Sequence, residues 1–171
     1  VAVNPQSIER DFHEVTPGGY FIYDSTKPLD KKLVRSDIHI LPIPLMELSM
    51  REYTDARQRQ LFKNIIYIGA LAALLDIEFS VLTGLIGDQF KGKEKLIAPN
   101  VRALELGFKY ASEHFTCPLG VRLQRCDAVG DRILVDGNTA CGLGAVYGGA
   151  TVAAWYPITP STSVVDAYEK Y

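Results

Sequence analysis

The chain has 171 residues, 47% of them hydrophobic, and a formal net charge of −2 at pH 7. That length can bury a real core in one domain, or in one domain and part of another, and the dispersed, near-neutral charge argues against a basic nucleic-acid surface. The longest apolar run, Ile65 to Leu75, is too short to cross a bilayer and meets Asp76 and Glu78 at once, so it reads as a buried helix and not a membrane anchor.

The first elements alternate. VAVN (1–4) has the composition of a short strand, and PQSIERDFHEV continues from it as a helix with Asn4 at the N-cap and Pro5 at the first helical position. TPGG then turns the chain into a second strand, YFIYD (20–24). Strand, helix and strand in that order predict a right-handed, parallel crossover unit. After the polar loop STKPLDKKLVRS, DIHILPIP reads as a third strand closed by its prolines, which suit a strand end better than its middle.

Helices follow. Residues 45–59 form a charged amphipathic candidate and FKNIIYIGALAALLD is apolar nearly all round. FSVLTGLIGDQF and APNVRALELGFKYASEHF repeat apolar positions at helical spacing. The first domain is expected to span 1–115. Residues 116–130, with proline, glycine, mixed charge and no period, read as a linker. The rhythm then restarts: RILVDG as strand, NTACGLGAVYGG as helix, ATVAAW as strand, STSVVDAYEKY as helix. Residues 131–171 thus open a second domain. The fold class expected is α/β: an open, mostly parallel sheet with flanking helices, then the start of a second α/β domain. The chain begins without methionine and stops part-way through a helical pattern, so it is expected to be a fragment truncated at both ends. No signal peptide opens it, and a cytoplasmic protein is the default.

Few residues suggest chemistry on their own. Cys117, Cys126 and Cys141 are odd in number and widely spaced, and His13, His39 and His114 are equally scattered, so reduced thiols and no protein-bound metal are expected. Gly142, Gly144, Gly148 and Gly149 lack the strand–GxGxxG–helix context of a dinucleotide loop. Ala140, Gly144 and Gly148 recur every four residues, which favours one bare helical face against a neighbouring backbone. Asp24, Ser25, Thr26 and Lys27 follow a strand at the carboxyl edge where open α/β sheets bind ligands, although the residues alone favour a turn with an Asx-type hydrogen bond. Capping and packing explain Asn64 and Asn100 as readily as a ligand would. Asp127 and Asp131 lie in the linker and are expected to face water, which gives little support to a two-carboxylate site.

The stretch AAWYPITPST (153–162) differs from these. It joins the carboxyl end of an expected strand to the start of a helix, where free backbone N–H groups and the helix dipole favour an anion. Pro157 and Pro160 fix their own φ angles, and Pro160 biases Thr159 toward extended geometry. A stiff loop presenting one hydroxyl beside helix N–H donors suits a small carboxylate such as that of a 2-oxo acid. The alternative is a capped turn, with Ser161, Thr162 or Ser163 capping the final helix. The residues alone favour that turn.

DGNTACGLGAVYGGATVAAWYPITPST, taken together, resembles the opening of the pyrimidine-binding domain of 2-oxoacid:ferredoxin oxidoreductases. Gly-Asn, a small-residue helix and Tyr-Pro-Ile-Thr-Pro recur there in this order. Residues 1–115 likewise resemble the family's gamma domain, through VAVNPQ, PGGYFIYDSTKPL, NIIYIGALAALL and IAPNVRALELGFKYA. A gamma domain joined to an alpha domain is the arrangement of the fused large subunit of 2-oxoglutarate and broader 2-oxoacid enzymes.

The resemblance implies oxidative decarboxylation of a 2-oxo acid, with 2-oxoglutarate favoured. In that chemistry thiamine diphosphate with magnesium attacks the oxo carbon, carbon dioxide leaves, electrons pass through iron–sulfur clusters to ferredoxin, and coenzyme A takes the acyl group. Carried over by position, Thr159 would hydrogen-bond the substrate carboxylate, and Tyr156, Pro157, Ile158 and Pro160 would shape its pocket. Lys27 and Asn64 are the candidates for coenzyme A. The family's glycine-rich loop would lie before Val1 and its activating acid beyond Tyr171, while the Gly-Asp-Gly site and the cluster cysteines belong to other domains or to a separate beta subunit. The expected state is a hetero-oligomer, with this chain inactive alone. Two other readings are a non-catalytic α/β scaffold or nucleotide-binding module, and a nicotinamide dehydrogenase; the second is disfavoured by the missing dinucleotide fingerprint.

Overall fold

A computed structural model describes residues 1–126 and 128–171. They form two compact units, Val1–Gln124 and Arg125–Tyr171.

The first unit is α/β, built on a small parallel sheet. Strands β1 (Tyr20–Asp24) and β2 (His39–Ile43) pair in parallel, with Tyr20 opposite His39 and Asp24 opposite Ile43. VAVN contributes less than a strand: Ala2 alone makes a parallel bridge, to Tyr23. Alternation along β1 assigns its two faces. Phe21 and Tyr23 point into one cluster with Phe12, Leu33 and Ile38, whereas Ile22 joins Leu41 and Ile43 in the larger core beneath the helices.

Helix α1 (Ile8–Glu14) covers the first face through Phe12, which is fully buried and meets Phe21 edge-on at 5.1 Å. Its open carbonyl end is held by Arg35, whose guanidinium donates to Phe12 O at 3.1 Å and Val15 O at 2.8 Å and pairs with Asp37 at 2.7 Å. Hydrogen bonding to that guanidinium lowers the Asp37 pKa.

Helices α2 (Leu45–Glu52), α3 (Ala56–Leu74), α4 (Phe79–Gln89) and α5 (Ile97–His114) make up the rest of the unit. The α3–α5 crossing requires glycine on both sides. A Cβ on Gly69 would overlap the Leu104 carbonyl, and one on Gly107 would overlap the Ile66 carbonyl. At the edge of this core Tyr53 stacks on Phe62 at 4.2 Å and donates its hydroxyl to Pro99 O at 2.8 Å; burial raises its pKa to about 12.

Several expected boundaries move, each for a local reason. Asn4 Oδ1 accepts from Gln6 N, but it caps a turn over Pro5–Ser7, and α1 begins only at Ile8. Pro42 sits inside β2, not after it. The strand tolerates proline because it lies at the sheet edge and is paired on one side only. The single helix expected over 45–59 is two helices. Asp55 accepts from Gln58 N at 2.8 Å and starts α3 afresh, with Tyr53 extended between them. Part of the segment read as linker is fastened to this unit: Leu119 N donates to Leu74 O and Leu123 N to Leu75 O, both at 2.8 Å.

The second unit is a helix pair, α6 (Gly137–Tyr147) and α7 (Ser161–Lys170). Asp136 caps α6, accepting from Thr139 N at 2.9 Å. The strands expected at RILVDG and ATVAAW do not form. Neither has a partner strand among the described residues to take its backbone groups, and Leu134 and Val152 are 101% and 82% exposed. The close helical contact also falls elsewhere than expected. Gly142 meets α7, where a Cβ would lie 2.8 Å from the Ala167 Cβ, Tyr168 N and Val164 O. Gly144 instead faces open space, and Ala140 and Gly148 are exposed.

Candidate functional site

The candidate residues singled out from the sequence fall in two places, one in each unit. In the first, the loop after β1 folds back on the start of α2. Asp24 Oδ1 accepts from Thr26 N at 3.2 Å, which is the Asx turn the sequence favoured, and also from Met46 N at 3.4 Å, while Thr26 Oγ1 accepts from Glu47 N at 3.1 Å. Asp24 and Thr26 therefore satisfy N–H groups in the first turn of a helix distant in sequence. Beside this loop lies a cleft of about 600 Å³, lined among others by Asn4, Thr26, Lys27, Asp30, Gln60 and Lys63.

Lys27 is thus brought to a cleft. Asn64 is exposed on α3 and is not among the lining residues; its neighbour Lys63 is. The sequence reading missed Lys63, and the spacing of Gln60 and Lys63, which places both on one face of α3, is the signal that could have found it. Asn100 is buried and donates to Leu96 O at 2.7 Å, one turn back in its own helix, so packing accounts for it. Asp127 lies outside the described residues, and Asp131 is exposed in a turn. Among the described residues no three His, Cys, Asp or Glu side chains converge as a metal site would require, and no helix is long and apolar enough to cross a membrane.

In the second unit, residues 151–160 are exposed throughout, Tyr156 at 78% and Ile158 at 61%. The Thr159–Pro160 peptide is cis. Ser161 Oγ donates to Tyr156 O at 2.9 Å and to Ile158 O at 2.6 Å, which folds Tyr156–Pro160 over the start of α7. Ser163 Oγ donates to Pro160 O at 2.8 Å and accepts from Asn138 Nδ2 at 2.7 Å, so α6 steadies the same loop. The turn weighed from the residues forms at Thr159–Pro160, with Ser161 N donating to Ile158 O at 2.8 Å, but without the side-chain cap. Pro160 occupies the N-cap, no side chain caps α7, and the hydroxyls of Ser161 and Ser163 are directed to loop carbonyls. Of the first-turn N–H groups of α7, that of Ser161 is taken by Ile158 O in this turn, whereas no side chain caps those of Thr162 and Ser163.

The model of the pyruvate ferredoxin/flavodoxin oxidoreductase family matches residues 1–110. The chain belongs to this enzyme family. It is similar along its whole length to the 2-oxoacid:ferredoxin oxidoreductase 2 alpha subunit of Aeropyrum pernix, at 28% identity, and covers 32% of that subunit. It is 30% identical over 67% of its length to ketoisovalerate oxidoreductase subunit VorA of Methanothermobacter thermautotrophicus, covering 23% of it. Among solved structures it resembles the 2-oxoglutarate:ferredoxin oxidoreductase of Magnetococcus marinus, described with 2-oxoglutarate, coenzyme A and succinyl-CoA bound. That match has a TM-score of 0.79 at 28% identity and covers 99% of this chain and 29% of the other. The chain thus spans a third or less of the family members it matches here. The resemblance read from the motifs and the expected α/β class both stand.

Proposed function

We propose that the chain is a gamma-type domain (1–115), a connecting segment (116–130) and the start of an alpha, pyrimidine-binding domain (131–171), within the fused large subunit of a cytoplasmic, thiamine-diphosphate-dependent 2-oxoacid:ferredoxin oxidoreductase. The reaction is oxidative decarboxylation of a 2-oxo acid to its acyl-CoA with electrons delivered to ferredoxin, in partnership with a beta subunit. 2-Oxoglutarate is the preferred substrate on the strength of what the similar Magnetococcus marinus enzyme is described as binding.

The observation that carries the reading is the exposed Tyr156–Pro160 loop over the uncapped start of α7. Thr159 Oγ donates to the substrate carboxylate, the α7 N–H groups and helix dipole stabilise its charge, and Tyr156, Pro157, Ile158 and Pro160 wall the carbon chain. Thiamine diphosphate, when bound, supplies the electron sink for decarboxylation. The described residues of the second unit do not fit that cofactor: Asp131, Asp136, Asp166 and Glu169 are all exposed, and Asp136 is committed to capping α6. Its contacts, the magnesium ion and the iron–sulfur clusters are therefore assigned to other parts of the complete enzyme. Lys27, in the cleft of the first unit, and Asn64 are the candidates for coenzyme A.

The test is CoA-dependent reduction of a viologen dye by the assembled full-length subunits, with several 2-oxo acids, comparing wild type with Thr159→Ala and Thr159→Ser. Loss of one charge-assisted hydrogen bond should lower kcat/KM by roughly 10- to 100-fold, about 1.5–3 kcal/mol, with partial recovery in the serine variant. Wild-type turnover unchanged by Thr159→Ala would remove the residue from the site. No turnover with any 2-oxo acid would hand the loop to the scaffold reading.

A further inference from the structure

Between α3, α4 and α5 of the first unit lies a pocket of about 380 Å³, walled by Ile65 and Ile68 on α3 and by Leu82, Ile86 and Phe90 in and just after α4. No charged side chain lines it, and its polar members are Gln89 and Asn100. Gln89 is exposed and keeps its water. Asn100 is only 8% exposed, so its carboxamide has given up hydration and needs partners in return. One is present. Nδ2 donates to Leu96 O at 2.7 Å, and because a carbonyl can only accept, that bond also fixes which end of the carboxamide is oxygen. Among the described residues no donor reaches Oδ1. None of their buried side-chain nitrogens or oxygens is both sealed off and unpartnered, so Oδ1 keeps an opening, and the open space that Asn100 lines is this pocket. Packing accounts for Asn100 being inside, but not for a carbonyl oxygen left over against an apolar wall. The outer wall is equally unfinished: α4 carries one charge, Asp88, in eleven residues, yet buries none of them.

We infer that this pocket binds a small, uncharged ligand whose branched or aromatic body fills the space between α3 and α4 and whose N–H or O–H donates to Asn100 Oδ1. The class follows from the lining. With no charged group to meet it, an ionised ligand would lose its hydration without compensation. The volume lies at the lower end of the range for small-molecule sites, about 300–1,000 Å³, and one placed polar group in an apolar wall is how such sites orient what they bind. A carboxamide is the best complement, because it donates to Oδ1 and returns an acceptor to the second Nδ2 hydrogen. None of the lining residues belongs to the cleft beside β1, and the inference does not rest on the 2-oxo acid reading.

The probes are benzamide, toluene and benzoate, which share a ring and differ in the group offered to Asn100. Saturation-transfer NMR titrations on the assembled full-length enzyme read their binding. Benzamide should bind wild type about three- to tenfold more tightly than toluene, the return on one neutral hydrogen bond, and benzoate should bind most weakly. Two tryptophans localise the signal. Leu85→Trp, at a lining position that is 58% exposed, should close the pocket and abolish benzamide binding; Leu61→Trp, at a position 59% exposed on α3 but outside the lining, should leave it unchanged. Asn100→Leu should erase the preference for benzamide while keeping toluene. Thermal melting checks the folding of each variant, and if Asn100→Leu does not fold, the wild-type ranking and the tryptophan pair still decide. Equal binding of benzamide and toluene would mean that water alone serves Oδ1, and overturns the inference. So does benzamide binding that survives Leu85→Trp. No binding by any probe, as when another part of the enzyme fills the pocket, overturns it as well.

Discussion

The α3–α5 crossing in the first unit and the α6–α7 pair in the second use the same device and come out differently. Both bring two helix backbones together over glycine, at Gly69 and Gly107 in one and at Gly142 in the other. Around the first crossing Phe62, Ile66, Leu74, Ala103 and Ala111 are all buried, and the approach sits at the centre of a core. Around the second only Gly142 and Ala167 are buried, while Tyr147, Val152 and Tyr156 lie open at 88%, 82% and 78%. Glycine permits close approach, but apolar side chains closing around the contact give it stabilising weight.

Glycine substitutions separate the two most sharply. Gly107→Ala drives a methyl into the Ile66 carbonyl, which is helix backbone and cannot turn aside, so unfolding by denaturant should show a loss of about 3 kcal/mol or more. Gly142→Ala meets the Ala167 Cβ and two backbone atoms at 2.8 Å in a pair with freedom to separate, and about 1–2 kcal/mol is expected. Equal losses at the two sites would mean that the second pair is as rigidly held as the first. Tyr53→Phe comes next, at about 1 kcal/mol, because Pro99 O loses its donor. Burial raises the Tyr53 pKa to about 12, so the folded state resists its ionisation. The unfolded chain releases that proton first, and stability should fall as pH rises from about 10 toward 12. The phenylalanine variant should flatten that decline in a pH series of melts.

The helices were the most legible part of the chain, because a long apolar period survives any detail of packing. α4 and α5 lie within a residue or two of the segments that announced them, and the apolar run of α3 was recognised although its start was not. The α2–α3 break was hidden because Tyr53–Asp55 interrupts the pattern for only three residues, and the Asp55 cap is visible only once the chain bends there. RILVDG and ATVAAW misled for a different reason: β-branched composition records a preference for pairing, and pairing needs a partner strand. At the carboxyl edge of β1 the Asx turn was readable, but its reach to Met46 and Glu47, 22 and 21 residues on, was not. The spacing of Gln60 and Lys63 marks a shared face of α3, but the cleft that face meets is known only once its opposite wall is in place. The Tyr156–Pro160 loop was conspicuous through its two prolines, whereas the absence of a cap on α7 depends on where Ser161 and Ser163 point, which sequence does not encode locally.

A pH series tests the second unit through its cap. Hydrogen bonds from the Thr139 side chain and backbone to Asp136 hold its pKa below the ordinary carboxylate range. A depressed carboxylate stabilises the fold above its unfolded pKa and loses that contribution as pH falls through the lower, folded value. Helicity of α6 should therefore fall on acidification below about pH 4, and Asp136→Asn, which keeps a capping oxygen without the titration, should flatten the profile. Cooling to slow fraying and labelling α6 alone would keep this signal apart from Asp37, which titrates in the same direction in the first unit.

The smallest effect is also the one whose sign is most informative. The four-residue spacing of Ala140, Gly144 and Gly148 predicts a contact face, yet Gly144 has nothing within 4 Å of a Cβ placed on it. With no neighbour to strike, Gly144→Ala changes only backbone entropy and helix propensity, and should stabilise the chain by about 0.5–1 kcal/mol. Measured on the chain alone, a gain means that Gly142 by itself makes the close contact with α7. Measured again in the assembled enzyme, a gain that turns into a loss would show that another part of the enzyme packs against the Ala140–Gly148 face. The spacing in the sequence would then describe a contact made in the assembly, and the openness of α6 in the second unit would be the unpartnered state of that same surface.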